Sequence, residues 1–183
     1  SYVFAARTTT MIDTHLPGFS LRFADPDDVP LILRFIEGLA DFERLSDECV
    51  ATEDGLRKTL FGEDRYAEVV LGYYESIPVG FALFFHTYST FLARPGIYLE
   101  DLFILPEWRG RGYGRTLLAF LAKLAVERDC GRLEWAVLDW NEDAVRFYRR
   151  LGAKPLDEWT TFRLAGGALR DLASTSPRPP SRR

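Results

Sequence analysis

Apolar and polar positions along this chain change period several times, and each change marks an element. Residues 21–24 read as a strand. Asp25-Pro26-Asp27-Asp28 then has the chemistry of a helix start, with a capping carboxylate, a proline where the N–H is not needed, and acids at the positive end of the helix dipole. Val29, Ile32, Leu33, Ile36, Leu39 and Ala40 recur at helical spacing up to about Phe42. A second helix is expected from Thr52, with Glu53 and Asp54 in its first turn, to just before Gly62. Residues 67–74 and 79–88 predict two strands, and Glu75-Ser76-Ile77-Pro78 between them predicts a hairpin. Residues 97–105 predict another strand, and Leu117, Leu118, Leu121, Leu124 and Ala125 form the buried stripe of a long helix. A strand over 133–138, a helix over 141–151 ended by Gly152, and a last strand over 159–164 complete the pattern. A hairpin inside the α/β alternation excludes a doubly wound parallel sheet. The order predicts an α/β fold with a mixed, mostly antiparallel sheet flanked by helices.

The two ends lack this periodicity. Residues 1–18 are expected to be a poorly structured extension, and residues 174–183, rich in serine, proline and arginine, a disordered basic tail. The 155 or so residues between them suit one domain with a sizeable core.

Charge and composition then exclude several functions. A formal net charge of −4 speaks against a general nucleic-acid binder, which needs a basic surface. The acids serve solubility, and an acidic pocket for a cationic substrate is a second outlet. Cys49 and Cys130 lack the spacing of a zinc site or a redox pair, so no metal is expected, and two cysteines suit a reducing, cytoplasmic compartment. Of the two histidines, His86 lies in an aromatic strand-like run and reads as packed, which leaves a histidine-based nucleophilic triad without support. No apolar run approaches the length of a membrane span.

The most informative segment is Arg109-Gly110-Arg111-Gly112-Tyr113-Gly114-Arg115, between the strand at 97–105 and the long helix. Glycines at a helix start let a ligand approach the backbone, where unpaired N–H groups and the dipole favour an anion. A Walker loop is absent, and the dinucleotide fingerprint would need a small residue where Arg115 stands. What remains, Arg109-x-x-Gly112-x-Gly114 after a strand bearing carboxylates, resembles the acetyl-CoA pyrophosphate loop of the GCN5-related N-acetyltransferase (GNAT) superfamily. A second segment agrees. Asn141-x-x-Ala144-x-x-Phe147-Tyr148-x-x-x-Gly152-Ala153 follows a strand, with Asn141 a good helix cap and Ala144, Tyr148 and Leu151 on one face. By itself Tyr148 on such a face reads as core. The phrase, however, is similar to the superfamily segment that holds the pantetheine arm and brings a tyrosine to the thioester sulfur.

Over about residues 21–173 the resemblance narrows to the diamine acetyltransferases, a family of spermidine/spermine and thialysine acetyltransferases. Residues 39–47 (LADFERLSD), 88–91 (YSTF), 98–101 (YLED) and 136–141 (AVLDWN) are closer to the thialysine branch. The resemblance implies acetyl-CoA as co-substrate, a small-molecule amine as acceptor, and a homodimer. It implies Glu100 as the carboxylate that helps deprotonate the amine and Tyr148 as proton donor to the departing sulfur. It also implies that Leu102, Phe103 and Ile104 bond the pantetheine arm, that Arg109, Gly110, Arg111, Gly112, Tyr113, Gly114 and Arg115 form the phosphate loop, and that Asn141, Glu142, Asp143 and Ala144 make a second acetyl-CoA contact. Phe42 and Glu43 match an aromatic and acid pair lining the amine pocket. Ser89 stands where polyamine-selective members carry an acid for the distal ammonium, which favours a shorter or amino-acid-like amine. Phe91 replaces a tryptophan usual in that run.

The residues themselves leave alternatives. Strand alternation would put Glu100 and Asp101 on opposite faces, with Glu100 toward the substrate and Asp101 structural. Glu43 also reads as a solvated helix end, and Arg109, Arg111 and Arg115 as surface charge. A protein or aminoglycoside acetyltransferase would share the acetyl-CoA half. A non-catalytic acyl-CoA-binding module would not need both Glu100 and Tyr148.

Overall fold

The fold is described by a computed structural model covering residues 10–177, and residues 1–9 and 178–183, parts of the expected extension and tail, lie outside the described residues. The chain divides after Ala136 into two compact units, a division that falls within the 19–173 stretch.

The first unit holds a six-stranded sheet in the order β1 (Ile12–Asp13), β2 (Phe19–Phe23), β3 (Glu68–Tyr74), β4 (Ile77–Ser89), β5 (Arg94–Ile104) and β6 (Leu133–Trp135). Every neighbouring pair is antiparallel except β5 with β6. Among its described residues this unit holds three α-helices: α1 (Val29–Glu43), α2 (Glu53–Phe61) and α3 (Tyr113–Glu127). The entry to α1 works as its sequence predicts. Asp25 accepts the Asp27 N–H, and Asp28 reaches back to the Asp25 N–H in a capping box. Arg22 forks onto both oxygens of Asp28 at 2.6 Å and also donates to the Tyr73 hydroxyl, which ties this cap to β2 and β3.

Alternation along the strands gives the sheet two apolar faces. On one, Ile32 and Phe35 of α1 and Leu60 of α2 pack over Val69, Leu71, Phe81, Leu83 and Phe103. On the other, Tyr113 at the start of α3 stacks on Phe19 at 4.1 Å, Phe120 meets Phe23 edge-on, and Arg128 at the end of α3 lies over Phe84. His86 is packed as expected, 3.2 Å from Arg128, whose guanidinium forks onto Glu68.

Four elements differ from the sequence reading. Ile12–Asp13 forms a short strand on β2, inside the stretch expected to be poorly structured. Strand β6 stops at Trp135 and does not reach Leu138. In the second unit, α4 (Glu142–Arg150) matches the expected helix, with Gly152 in the left-handed conformation just beyond it. The strand expected over 159–164 is absent, because the second unit has no other strand among its described residues with which to build a ladder. A helix, α5 (Gly166–Ser174), follows instead. Its two leading glycines and the lack of a capping side chain at Ala165 hid it from a propensity reading.

Candidate active site

The chemistry expected of the first unit gathers around the C-terminal half of β5. Its pairing with β4 skips one residue: Leu99 faces Phe84, Asp101 faces Leu83, and Glu100 between them has no partner. One extra residue on one strand is a β-bulge, and it breaks the side-chain alternation. Residues directly opposite each other share a face, so Asp101 stands with Leu83 on the α1 side, whereas Leu99 stands with Phe84 on the α3 side. The regular alternation expected through Glu100 and Asp101 is therefore interrupted at Glu100.

The bulge assembles a carboxylate group. Glu100 is exposed. Asp101 is half-buried, and desolvation first, then the charges of Glu100 and of Glu43, push its pKa up to about 6. Glu43, in the last turn of α1, is itself raised by burial. Glu43 is thus a half-buried neighbour of Asp101, not a solvated helix end. Tyr98 is raised by burial and by the charges of Glu100 and Glu134. Asp101 is the residue that sequence reasoning set aside. The only signal it offered was a second carboxylate beside Glu100.

Beyond Leu99, β5 has no strand partner on its β6 side among the described residues. Strand β6 pairs only with Ile97, Tyr98 and Leu99. The Leu105 N–H bonds to Val79 of β4 at 2.9 Å, so by alternation Phe103 turns its backbone groups to β4, and Leu102 and Ile104 turn theirs away. The Ile104 carbonyl on that side is taken by Arg109 Nε at 2.9 Å. The N–H groups of Leu102 and Ile104 and the Leu102 carbonyl are left as an edge that a ligand's amide groups could match.

The glycine loop connects this edge to α3. Gly110 and Gly112 have φ of +77° and +86°, in the left-handed region that other residues enter at a cost. Gly112 is the N-cap of α3 and provides no side-chain hydrogen bond. The first helical bond is Thr116 N–H to the Gly112 carbonyl, so the N–H groups of Tyr113, Gly114 and Arg115 have no partner within the helix. By contrast, α2 and α4 are capped by the side chains of Thr52 and Asn141. Gly114 has an ordinary backbone, and a Cβ there would meet only Ile104 Cγ1, at 3.8 Å. Nothing among the described residues requires glycine at this position. An uncapped helix start with a bare backbone beside an open strand edge fits a phosphate-bearing thioester such as acetyl-CoA.

The loop side chains point in different directions. Tyr113 is buried against Phe19, Arg115 is exposed, and Arg111 lies over the Trp108 ring at 4.7 Å. Arg109 turns inward onto Phe42 and Phe103. Ser89 is buried, and its hydroxyl accepts the Leu92 N–H at 3.3 Å, so it serves the turn between β4 and β5. Phe91, in that turn, is fully exposed. In the second unit, Asn141 accepts the Ala144 N–H, and Arg146 pairs with Glu142 and Asp143. Tyr148 is half-buried on the same helical face as Ala144, with its ring 5.3 Å from Phe147.

Comparison with known proteins agrees with this architecture. Residues 35–153 match the acetyltransferase (GNAT) family. The chain is 35% identical to an L-ornithine N5-acetyltransferase of Arabidopsis thaliana, a match spanning 83% of this chain and 86% of that protein. It is 39% identical to the thialysine N-epsilon-acetyltransferase of Bos taurus, over 84% of this chain and 96% of that one. Among solved structures, an integron cassette protein from the mobile metagenome of V. cholerae superposes with a TM-score of 0.72 at 27% identity, covering 85% of this chain and 98% of the other. This chain belongs to the acetyltransferase (GNAT) family and is an N-acetyltransferase.

Proposed function

We propose that this enzyme acetylates a primary amine of a small, amino-acid-like or short diamine substrate, with acetyl-CoA as donor, by direct attack in a ternary complex. The observation that carries this reading is the adjacency, on one strand, of a carboxylate group at Glu100 and Asp101 and an open backbone edge at Leu102 and Ile104 that runs into an uncapped helix start. The thialysine and ornithine acetyltransferases among its relatives support the substrate class.

Acetyl-CoA supplies the acyl group already activated as a thioester. The residues of this chain supply the rest. An alkyl ammonium has a pKa near 10.4 and cannot attack until it loses a proton. Glu100 attracts the ammonium and accepts that proton, directly or through a water, while Asp101 and Glu43 add negative charge to the seat. The Leu102 and Ile104 N–H groups bind the donor's amide-bearing arm and polarise its carbonyl. The N–H groups of Gly112, Tyr113, Gly114 and Arg115 take the phosphates, Asn141 and Ala144 add a second contact, and the Tyr148 hydroxyl gives its proton to the departing sulfur. That hydroxyl is restored by the second proton that the attacking nitrogen sheds as it becomes an amide. An uncharged Ser89, already engaged in its turn, leaves no acid there for a distal ammonium, which disfavours spermidine. A thioether near the amine lowers its basicity, so thialysine should lose its proton more readily than lysine. A cytoplasmic homodimer belongs to the same reading.

The experiment is thiol release from acetyl-CoA by the purified protein with thialysine, ornithine, lysine, putrescine and spermidine compared side by side. Preference for thialysine or ornithine is expected. Preference for spermidine would refute the Ser89 argument, and bound acetyl-CoA without turnover on any amine would count against the catalytic roles. The phosphate seat has its own test at Gly114. Gly114→Ala should stabilise the free protein by about 0.5–1 kcal/mol, because alanine is the better helix former and has room. It should also raise the KM for acetyl-CoA about tenfold by obstructing the backbone. Melting temperature and donor KM are the measurements, and an unchanged KM would remove α3 from the donor site.

A further inference from the structure

Arg109 and Arg111 lie on either side of Gly110, yet their side chains have different surroundings. Residues Pro106–Trp108 form one tight turn after β5, and Arg109 leaves it extended, with its side chain folded back over the strand end. There its Nε donates to the Ile104 carbonyl at 2.9 Å. Its guanidinium carbon stands 4.3 Å above the Phe42 ring and 5.5 Å from that of Phe103. Phe103 is core, and α1 passes so close that a Cβ at Gly38 would come within 3.1 Å of its ring. Phe42 is different. It sits in the last turn of α1, next to Glu43, and is 39% exposed. The Arg109 guanidinium lies over that ring. Arg111, exposed as Arg109 is, lies instead over Trp108 and has a long 3.4 Å contact to the Glu107 carbonyl.

We propose that the two arginines divide their work: Arg111 meets the donor's phosphates, and Arg109 is a positioning residue that ties the phosphate loop to the aromatic wall of the amine pocket. This rests on the acetyltransferase site described above. An Arg109 bonded to the β5 end and stacked on Phe42 fixes the ring, and with it the neighbouring Glu43, relative to the loop that seats the donor. Losing it should be felt at the amine even though the residue belongs to the donor loop. A lysine can keep the charge but lacks the planar face and the fixed Nε–H that the two contacts use.

Two donors separate the roles, acetyl-CoA and S-acetylpantetheine, which has the same thioester and no phosphate. Arg109→Met should raise the amine KM about tenfold with either donor and shift the acetyl-CoA KM less than about twofold. Arg109→Lys should recover only part of this. Arg111→Met should raise the KM for acetyl-CoA and leave that for S-acetylpantetheine unchanged. If Arg109→Met instead weakens acetyl-CoA alone, Arg109 is a phosphate ligand and the proposal is overturned. A fall in kcat with the amine KM unchanged would also overturn it, because a general loss of structure would suffice. A wild-type protein inactive with both donors would refute the acetyltransferase site itself. The contact would then be judged by melting temperatures of Arg109→Met, Phe42→Leu and the double variant. Non-additive shifts are expected from residues in contact, and additive ones would overturn the proposal.

Discussion

Replacing Tyr148 with phenylalanine is expected to lower kcat about 10²-fold while the dissociation constant of acetyl-CoA moves less than about twofold. The substitution removes one oxygen and keeps the ring, so the half-buried face of α4 that Tyr148 shares with Ala144 should survive. What is lost is a proton. An alkyl thiolate is a modest leaving group, since its conjugate acid has a pKa of about 8.5, and a phenol held protonated at neutral pH can supply the missing hydrogen. The same logic gives an internal control. An acetyl thioester of an aromatic thiol leaves without help, so Tyr148→Phe should slow its reaction far less. Steady-state kinetics with both donors, together with calorimetric binding of acetyl-CoA, make the comparison. A parallel loss of binding would make Tyr148 a packing residue, and equal slowing of both donors would remove it as the acid.

Such a test could be framed from sequence because the features involved are local. A glycine loop before a helix, Asn141 capping the next one and Tyr148 four residues after Ala144 are all readable within a turn or two of backbone. The carboxylate group is not. Glu100 is a bulge only because β4 and β5 slip by one residue between Leu83 and Phe84, and a slip between strands leaves no mark on either strand alone. Asp101 acquires its raised pKa partly from Glu43, at the far end of a helix that precedes it by more than 50 residues. The inward turn of Arg109 depends likewise on Phe42 of α1. The missing strand at 159–164 is the converse case. Its aromatic and β-branched residues had the right local propensity, but a strand exists only where a partner offers a ladder.

Asp101 should then show a conflict between stability and function. Its pKa in the folded protein is about 6 against an ordinary 3.8, so the native state binds the proton more tightly than the unfolded chain. For such a group, folding is favoured most below the unfolded pKa, and that advantage is lost as pH rises through 6. Holding Asp101 ionised at neutral pH therefore costs on the order of 3 kcal/mol. Asp101→Asn relieves that cost without changing the side chain's size, and should stabilise the protein at pH 7 by about 1–3 kcal/mol. The advantage over wild type should shrink between pH 7 and pH 5, as Asp101 in the wild type takes up its proton. Activity should move the other way. The negative charge that Asp101 adds beside Glu100 attracts a cationic amine, so the variant should lose about 10²-fold in kcat/KM for the amine. It should also lose the acid limb near pH 6 that the wild type is expected to show. Denaturant unfolding at pH 5 and pH 7, set beside pH profiles of kcat/KM, measures both halves. An asparagine variant that is no more stable than wild type at pH 7 would show that the carboxylate is not strained by its burial. One that keeps full activity on the amine would show that the strain serves some purpose other than holding the substrate.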